Sequence, residues 1–120
     1  MTDPRTIAED YVAVWNETDA NARSRRIAAL FSENVVYRDP LMQGDGHAGL
    51  DALVTGVQQR FPGFRFTVKG QPDGHATHVR FSWSLGPDGA EAPIEGTDVC
   101  HVRDGRLAEV IGFLDKVPAQ

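Results

Sequence analysis

The chain reads as an α+β domain in which three helices of the N-terminal half cover one face of a strongly curved, antiparallel-rich sheet. Three observations point there. Apolar residues recur at helical spacing through the first half, they alternate with polar ones through the second, and glycine-bearing turn dipeptides punctuate that second half. With 120 residues the chain is expected to form a single domain, 1–120, long enough to bury a core without disulfide staples. Helices laid across the mouth of a bent sheet make a cone, and the hollow of a cone is a natural ligand pocket.

Asp3 before Pro4 starts the first helix, with the carboxylate as cap and the proline in the first turn. Ile7, Tyr11, Val14 and Trp15 follow at i, i+4, i+7 and i+8 as one buried stripe, and the polar run from Asn16 to Asn21 ends it. A second helix is expected from Ala22 to Phe31, with Ile27, Leu30 and Phe31 inward. Val35-Val36-Tyr37-Arg38-Asp39 forms a strand that stops at Pro40, which has no N–H for a ladder. Ala48 to Phe61 is the third helix; Leu50, Leu53, Val54, Val57 and Phe61 form its stripe and Pro62-Gly63 stops it. A meander follows. Phe64 to Gly70 is its first strand, Asp73-Gly74 a hairpin turn, and His75 to Leu85 the return. Gly86 to Ala90 turns the chain into a strand from Ala92 to Val102, and Asp104-Gly105 leads into the last, Arg106 to Lys116.

Twelve basic against seventeen acidic side chains leave a net charge of −5, which argues against a nucleic-acid partner. The run Arg23-Ser24-Arg25-Arg26 reads as a solvated helix face. Cys100 is alone, so the chain forms neither an internal disulfide nor a thiolate metal cluster. Met1-Thr2-Asp3-Pro4-Arg5 lacks the apolar segment of a signal peptide, and no apolar stretch reaches membrane-span length. A cytoplasmic protein with no membrane partner is the expectation. His75 and His78, three apart on one strand, are expected to face opposite sides, and His47 and His101 are distant in sequence, so no metal site is expected. There is no phosphate-binding glycine loop and no nucleophile elbow, and no cofactor is implied.

Two carboxylates carry the chemical interest. Pro40 holds Asp39 extended at a strand end, on the face of Val35 and Tyr37, although Asp-Pro is also a common turn starter. Asp98 shares a strand face with Ile94, Gly96, Cys100 and Val102, and burying a lone carboxylate there is costly. Such a group finds a partner or stays protonated with a raised pKa. Two registers of the preceding hairpin are open. One puts Arg80 opposite Asp98 and makes an ion pair; the other puts Phe81 there, and the alternation of Val79, Phe81, Trp83 and Leu85 favours it. Tyr11 lies in a core stripe, but a buried phenol needs a hydrogen-bond partner that a cavity carboxyl would supply. Trp15, Tyr37, Met42, Phe64, Phe66, Phe81, Trp83 and Phe113 are expected as core or pocket wall.

The runs Tyr11-Val12-Ala13-Val14-Trp15-Asn16 and Leu30-Phe31-Ser32-Glu33-Asn34-Val35-Val36-Tyr37-Arg38-Asp39-Pro40, with Gly96-Thr97-Asp98 and Asp104-Gly105-Arg106-Leu107, resemble the nuclear transport factor 2-like superfamily, and within it the SnoaL-like and ketosteroid isomerase-like group. The resemblance spans essentially the whole chain and implies a cone-shaped, cystatin-like fold. It also implies a general base at Asp39 and two neutral donors, Tyr11 and Asp98, stabilising an enolate. Two departures from the pattern stand out: a longer stretch between Asp19 and Ile27, and Arg38 beside the implied base.

The expected activity is proton transfer, of isomerase or cyclase type, on a small hydrophobic carbonyl compound. The alternative is a non-catalytic ligand-binding or dimerisation module of the same fold, and a third reading is epoxide hydrolysis by an Asp–Arg–Asp cluster. Val110-Ile111-Gly112-Phe113-Leu114 is apolar on both faces, which points to a homodimer through the outer face of the sheet.

Overall fold

A computed structural model describes residues 3–118; Met1 and Thr2, part of the start read as leaderless, lie outside them. The elements run α1 (Pro4–Asn16), α2 (Ala20–Leu30), β1 (Phe31–Arg38), β2 (Gln43–Asp45), α3 (Gly46–Arg60), β3 (Phe64–His75), β4 (His78–Pro87), β5 (Ile94–Arg103) and β6 (Arg106–Lys116). Asp3 caps α1 by accepting from the Thr6 N–H, and Asp19 caps α2 by accepting from Ala22. The stripe Ile7, Ala8, Tyr11, Val14 and Trp15 is buried, as the helical spacing requires.

The strands form one mixed, unclosed sheet in the order β2-β1-β6-β5-β4-β3. All neighbours are antiparallel except β1 and β6, which run parallel. Register breaks within β1, between Lys69 and Asp73, and on both sides of the central part of β5 bend the strands. The sheet curls around α1, which packs on β3 and β4, while α3 packs on β1 and β2. The core lies in the concavity, and its largest buried side chains include Phe31, Phe81, Ile27, Leu50 and Leu107.

Several boundaries differ from expectation. Phe31 begins β1 and does not end α2; it is the extended C-cap residue and is fully buried beside Leu107 of β6. The helices α2 and α3 start at Ala20 and Gly46, each two residues earlier than the expected Ala22 and Ala48, because Asp19 and Asp45 provide the N-cap positions. The short strand β2 was not anticipated, its three residues being polar and mostly exposed. Asp73-Gly74 is not a turn. Gly70, at φ +69°, bulges the strand onward, so that β3 runs to His75 and the chain reverses at Ala76 and Thr77. His75 and His78 are therefore directly paired across a hairpin and not on opposite faces of one strand. His78 in turn stacks on His101, with ring centroids 5.1 Å apart.

The basic run is a solvated face only in part. Ser24, Arg25 and Arg26 are exposed, but Arg23 is buried. Its guanidinium donates to Asp51 at 2.6 Å, to Thr55 and Gln58, and to the Glu17 carbonyl, tying α2 to α3 and to the end of α1. Among the described residues no helix is long and apolar enough to cross a membrane, and no group of three or more metal-ligating side chains forms.

Candidate functional site

Phe81 lies opposite Asp98 in the β4–β5 ladder, which decides between the two registers. Arg80 points to the other face of the sheet and pairs with Asp73 at 3.2 Å. Asp98 is 2% exposed and has no cation beside it. Burial pushes its carboxyl up from 3.8 to about 6; the Tyr11 hydroxyl and Trp83 indole turned toward it oppose the rise, and the charges of Asp39 and Asp115 add to it.

Two glycines make room for this carboxyl. Gly112 faces Asp98 across the β5–β6 ladder, and a Cβ there would meet Asp98 Oδ1 at 2.8 Å and the Asp39 Cβ at 3.1 Å. The Asp98 carboxyl and the Asp39 side-chain stem thus meet at one stretch of bare backbone. Gly96 pairs with Trp83, and a Cβ on it would run into the Trp83 ring, so the indole occupies the space that the glycine leaves. Neither glycine figured among the candidates. The available signal was that glycine inside a strand marks a close approach.

Asp39 is half-buried at the end of β1. Its Oδ1 accepts from the N–H groups of Leu41 and Met42, and its Oδ2 accepts from the Tyr37 hydroxyl at 2.7 Å. Three of the roughly four lone-pair directions of a carboxylate are therefore taken, leaving one free. Asp39 is both a turn starter and a fixed carboxylate. Arg38 leaves it alone, donating to Asp45 and to the Tyr37 carbonyl.

Tyr11 faces the ring of Phe81 edge-on at 4.9 Å. Burial, then the charge of Asp98, holds its phenol well above the ordinary range, and the same two causes with the Asp39 bond raise that of Tyr37. Both are neutral donors. Burial also keeps the Cys100 thiol protonated. The Tyr11 hydroxyl, Trp15 Nε1 and Trp83 Nε1 are buried without completing a hydrogen bond. Trp15 packs on Tyr37 and Phe66, and Phe66 packs on Trp83, so these rings line one continuous interior. Met42 and Phe64 are half-buried against it.

One expected wall residue is misplaced. Phe113 is 53% exposed on the convex face, because Gly112 takes the inward position beside it and neighbours in a strand alternate. The interior is packed with rings, and the two cavities described among these residues, about 560 and 380 Å³, lie outside it. One runs between α1 and β3, and the other crosses the convex face near Lys69, Ser82 and Thr97.

The family profile described as a SnoaL-like domain matches residues 8–110. A protein of the SnoaL-like family from Agrobacterium tumefaciens, provisionally named an isomerase, superposes with a TM-score of 0.90 at 44% identity, over 96% of this chain and 99% of its own. A provisionally named ketosteroid isomerase from Kribbella flavida gives 0.70 at 22% identity, over 98% of this chain and 81% of its own. A hypothetical protein of ketosteroid isomerase-like fold from Catenulispora acidiphila, in complex with trimethylamine, gives 0.72 at 18% identity, over 92% and 85%. The last two speak to the fold alone. No curated protein matches the chain.

Proposed function

The chain belongs to the SnoaL-like domain family, and on that basis we propose that it is an enzyme of isomerase or cyclase type that moves a proton on a small, largely apolar carbonyl compound. One observation carries the reading: Asp98, a buried carboxyl without a cation, is flanked by the unbonded Tyr11 hydroxyl and shares the bare backbone of Gly112 with Asp39.

Asp39 removes a proton alpha to the substrate carbonyl, breaking C–H and forming O–H on its free lone pair. The electron pair moves onto the carbonyl oxygen, where the Tyr11 hydroxyl and the protonated Asp98 donate to the enolate. Asp39 then returns the proton to carbon. Tyr37 positions the base by holding Oδ2, and the apolar rings exclude water. Asp98 donates only while protonated, so activity falls above pH 6, tenfold per pH unit.

The test needs no knowledge of the natural substrate. The α-protons of cyclohexanone are followed by NMR in D₂O with catalytic amounts of protein. Wild type accelerates exchange and Asp39→Asn loses a factor of about 10² or more. Equal exchange by the two proteins ends the assignment of Asp39.

A second reading, a non-catalytic ligand-binding or dimerisation module, is favoured by the ring-to-ring contacts that fill the interior. Epoxide hydrolysis needs an arginine beside Asp98, where Phe81 stands. The convex face bearing Ile111 and Phe113 is our proposed homodimer surface; a monomer by sedimentation at high concentration removes it.

A further inference from the structure

The three unsatisfied donors define a ligand more narrowly than a carbonyl compound. Tyr11, Trp15 and Trp83 are 2%, 3% and 8% exposed, and their hydroxyl and indole N–H groups lack partners. A buried polar group left unpaired costs about as much as a lost hydrogen bond, and an indole nitrogen can only donate. Three such groups in one ring cluster call for acceptors.

They fall into two places. Tyr11 and Trp83 both turn toward Asp98, one from α1 and one from β4. The ring contacts of Trp15 are instead Tyr11, Tyr37 and Phe66. Phe66 stands between the indoles, at 5.6 Å from Trp15 and 5.2 Å from Trp83 by ring centroids. One acceptor atom in the Asp98 corner therefore leaves the Trp15 N–H unmet.

Charge narrows the class further. Asp98 and Asp39 both border the interior, and the one buried cation among the described residues, Arg23, is held by Asp51 in the helix layer. Lys69, Arg80 and Lys116 pair with Glu95, Asp73 and Glu91. An anionic ligand would meet carboxylates with no free cation among the described residues facing it, and a polyol would bring further donors to a site where Tyr11, Trp15 and Trp83 already lack acceptors.

Resting on the proton-transfer reading of the same site, we infer that the ligand is a neutral, donor-poor molecule with two separated acceptor oxygens, one received by Tyr11 and Trp83 beside Asp98 and the other by the indole N–H of Trp15. A diketone or keto ester has this chemistry, and a simple ketone does not. Trp15 is then the residue that discriminates between them. A ligand enters by displacing rings, past the half-buried Met42, Phe64, Val68 and Leu114 that pack against the cluster.

The chain has two tryptophans, so ¹⁵N-labelled protein gives two indole N–H resonances, assigned with Trp15→Phe. Titration uses 1,4-cyclohexanedione, cyclohexanone and trans-1,4-cyclohexanediol, which share a ring and differ in acceptors. The dione is expected to shift both indole protons downfield and to bind about tenfold tighter than the ketone, as one added buried hydrogen bond allows. The ketone is expected to shift the Trp83 resonance alone, and Trp15→Phe to remove the dione's advantage. Equal affinities, a diol that binds as tightly as the dione, a Trp15 resonance that does not move, or no binding by any of the three overturns the inference. Exchange of cyclohexanone α-protons that depends on Asp39 shows, in any of those cases, that the proton-transfer reading survives; its loss shows that both have failed.

Discussion

Replacing Asp98 with asparagine removes one titration from the folded state, and the consequence for stability has a definite sign and size. The native carboxyl has its pKa at about 6 against 3.8 for a free one, chiefly because burial disfavours the charged form. The folded state therefore holds the proton more tightly than the unfolded state. The contribution of Asp98 to stability is fully present below about pH 3.8, declines between 3.8 and 6, and is lost above 6. A rise of about two pH units corresponds to about 3 kcal/mol. Asparagine keeps the shape but does not titrate. The stability difference between Asp98→Asn and wild type should thus move by about 3 kcal/mol in favour of the variant between pH 3 and pH 8. For 120 residues, at about 2.1 cal/mol/K of unfolding entropy per residue, this is about 12 °C in relative Tm. Thermal unfolding of both proteins across that range is the assay. Any constant cost of placing the asparagine amide beside the Tyr11 and Trp83 donors cancels, since only the pH dependence is read. A flat difference would mean that Asp98 has an ordinary pKa. A difference moving the opposite way would mean an ion pair, and the neutral donor of the proposed mechanism would be lost.

Arg23→Ala should destabilise the fold by about 3 kcal/mol, close to 12 °C in Tm, because four polar groups from α1 and α3 lose a buried guanidinium; thermal unfolding checks this, and a loss below 1 kcal/mol would mean that the cluster is incidental. Gly96→Ala should cost about 2 kcal/mol and weaken the near-ultraviolet circular dichroism, because the added methyl runs into the Trp83 ring and meets the Phe113 carbonyl at 2.8 Å. An unchanged aromatic signal would show that the indole does not depend on that seat.

The parts of this fold legible in the sequence were those where one physical preference acts alone. The alternation Val79, Phe81, Trp83, Leu85 sets the phase of β4, and with it the partner of Asp98. The α1 stripe is equally plain. The turn expected at Asp73-Gly74 lies elsewhere because the conformational freedom is used elsewhere: Gly70 carries the bulge, and Ala76 takes φ +50° at the true turn, which its side chain does not announce. Phe113 is outward against expectation because β6 is apolar on both faces, and only the inward Gly112 fixes which residues face the core. Arg23 hid within a run of like residues, its burial depending on Asp51, Thr55 and Gln58, some thirty positions away. Of the candidate site, local rules single out the two carboxylates and Tyr11 one by one. Their convergence at Gly112 is a tertiary property that no local pattern encodes.

The carboxamide of Asn16 accepts from the Phe66 N–H at 2.8 Å and donates to the Phe66 carbonyl at 2.9 Å. That is the bonding a further strand would offer β3, the last strand on its side of the sheet, and the Arg5 guanidinium takes the Gly70 carbonyl further along. The ladder is thereby terminated by side chains of α1. At the other end lies only the three-residue β2. Growth of the sheet by lateral addition, whether into a domain-swapped pair or a fibril, finds one boundary occupied and the other very short. Asn16→Ala would reopen the Phe66 stretch of that boundary to a pairing strand.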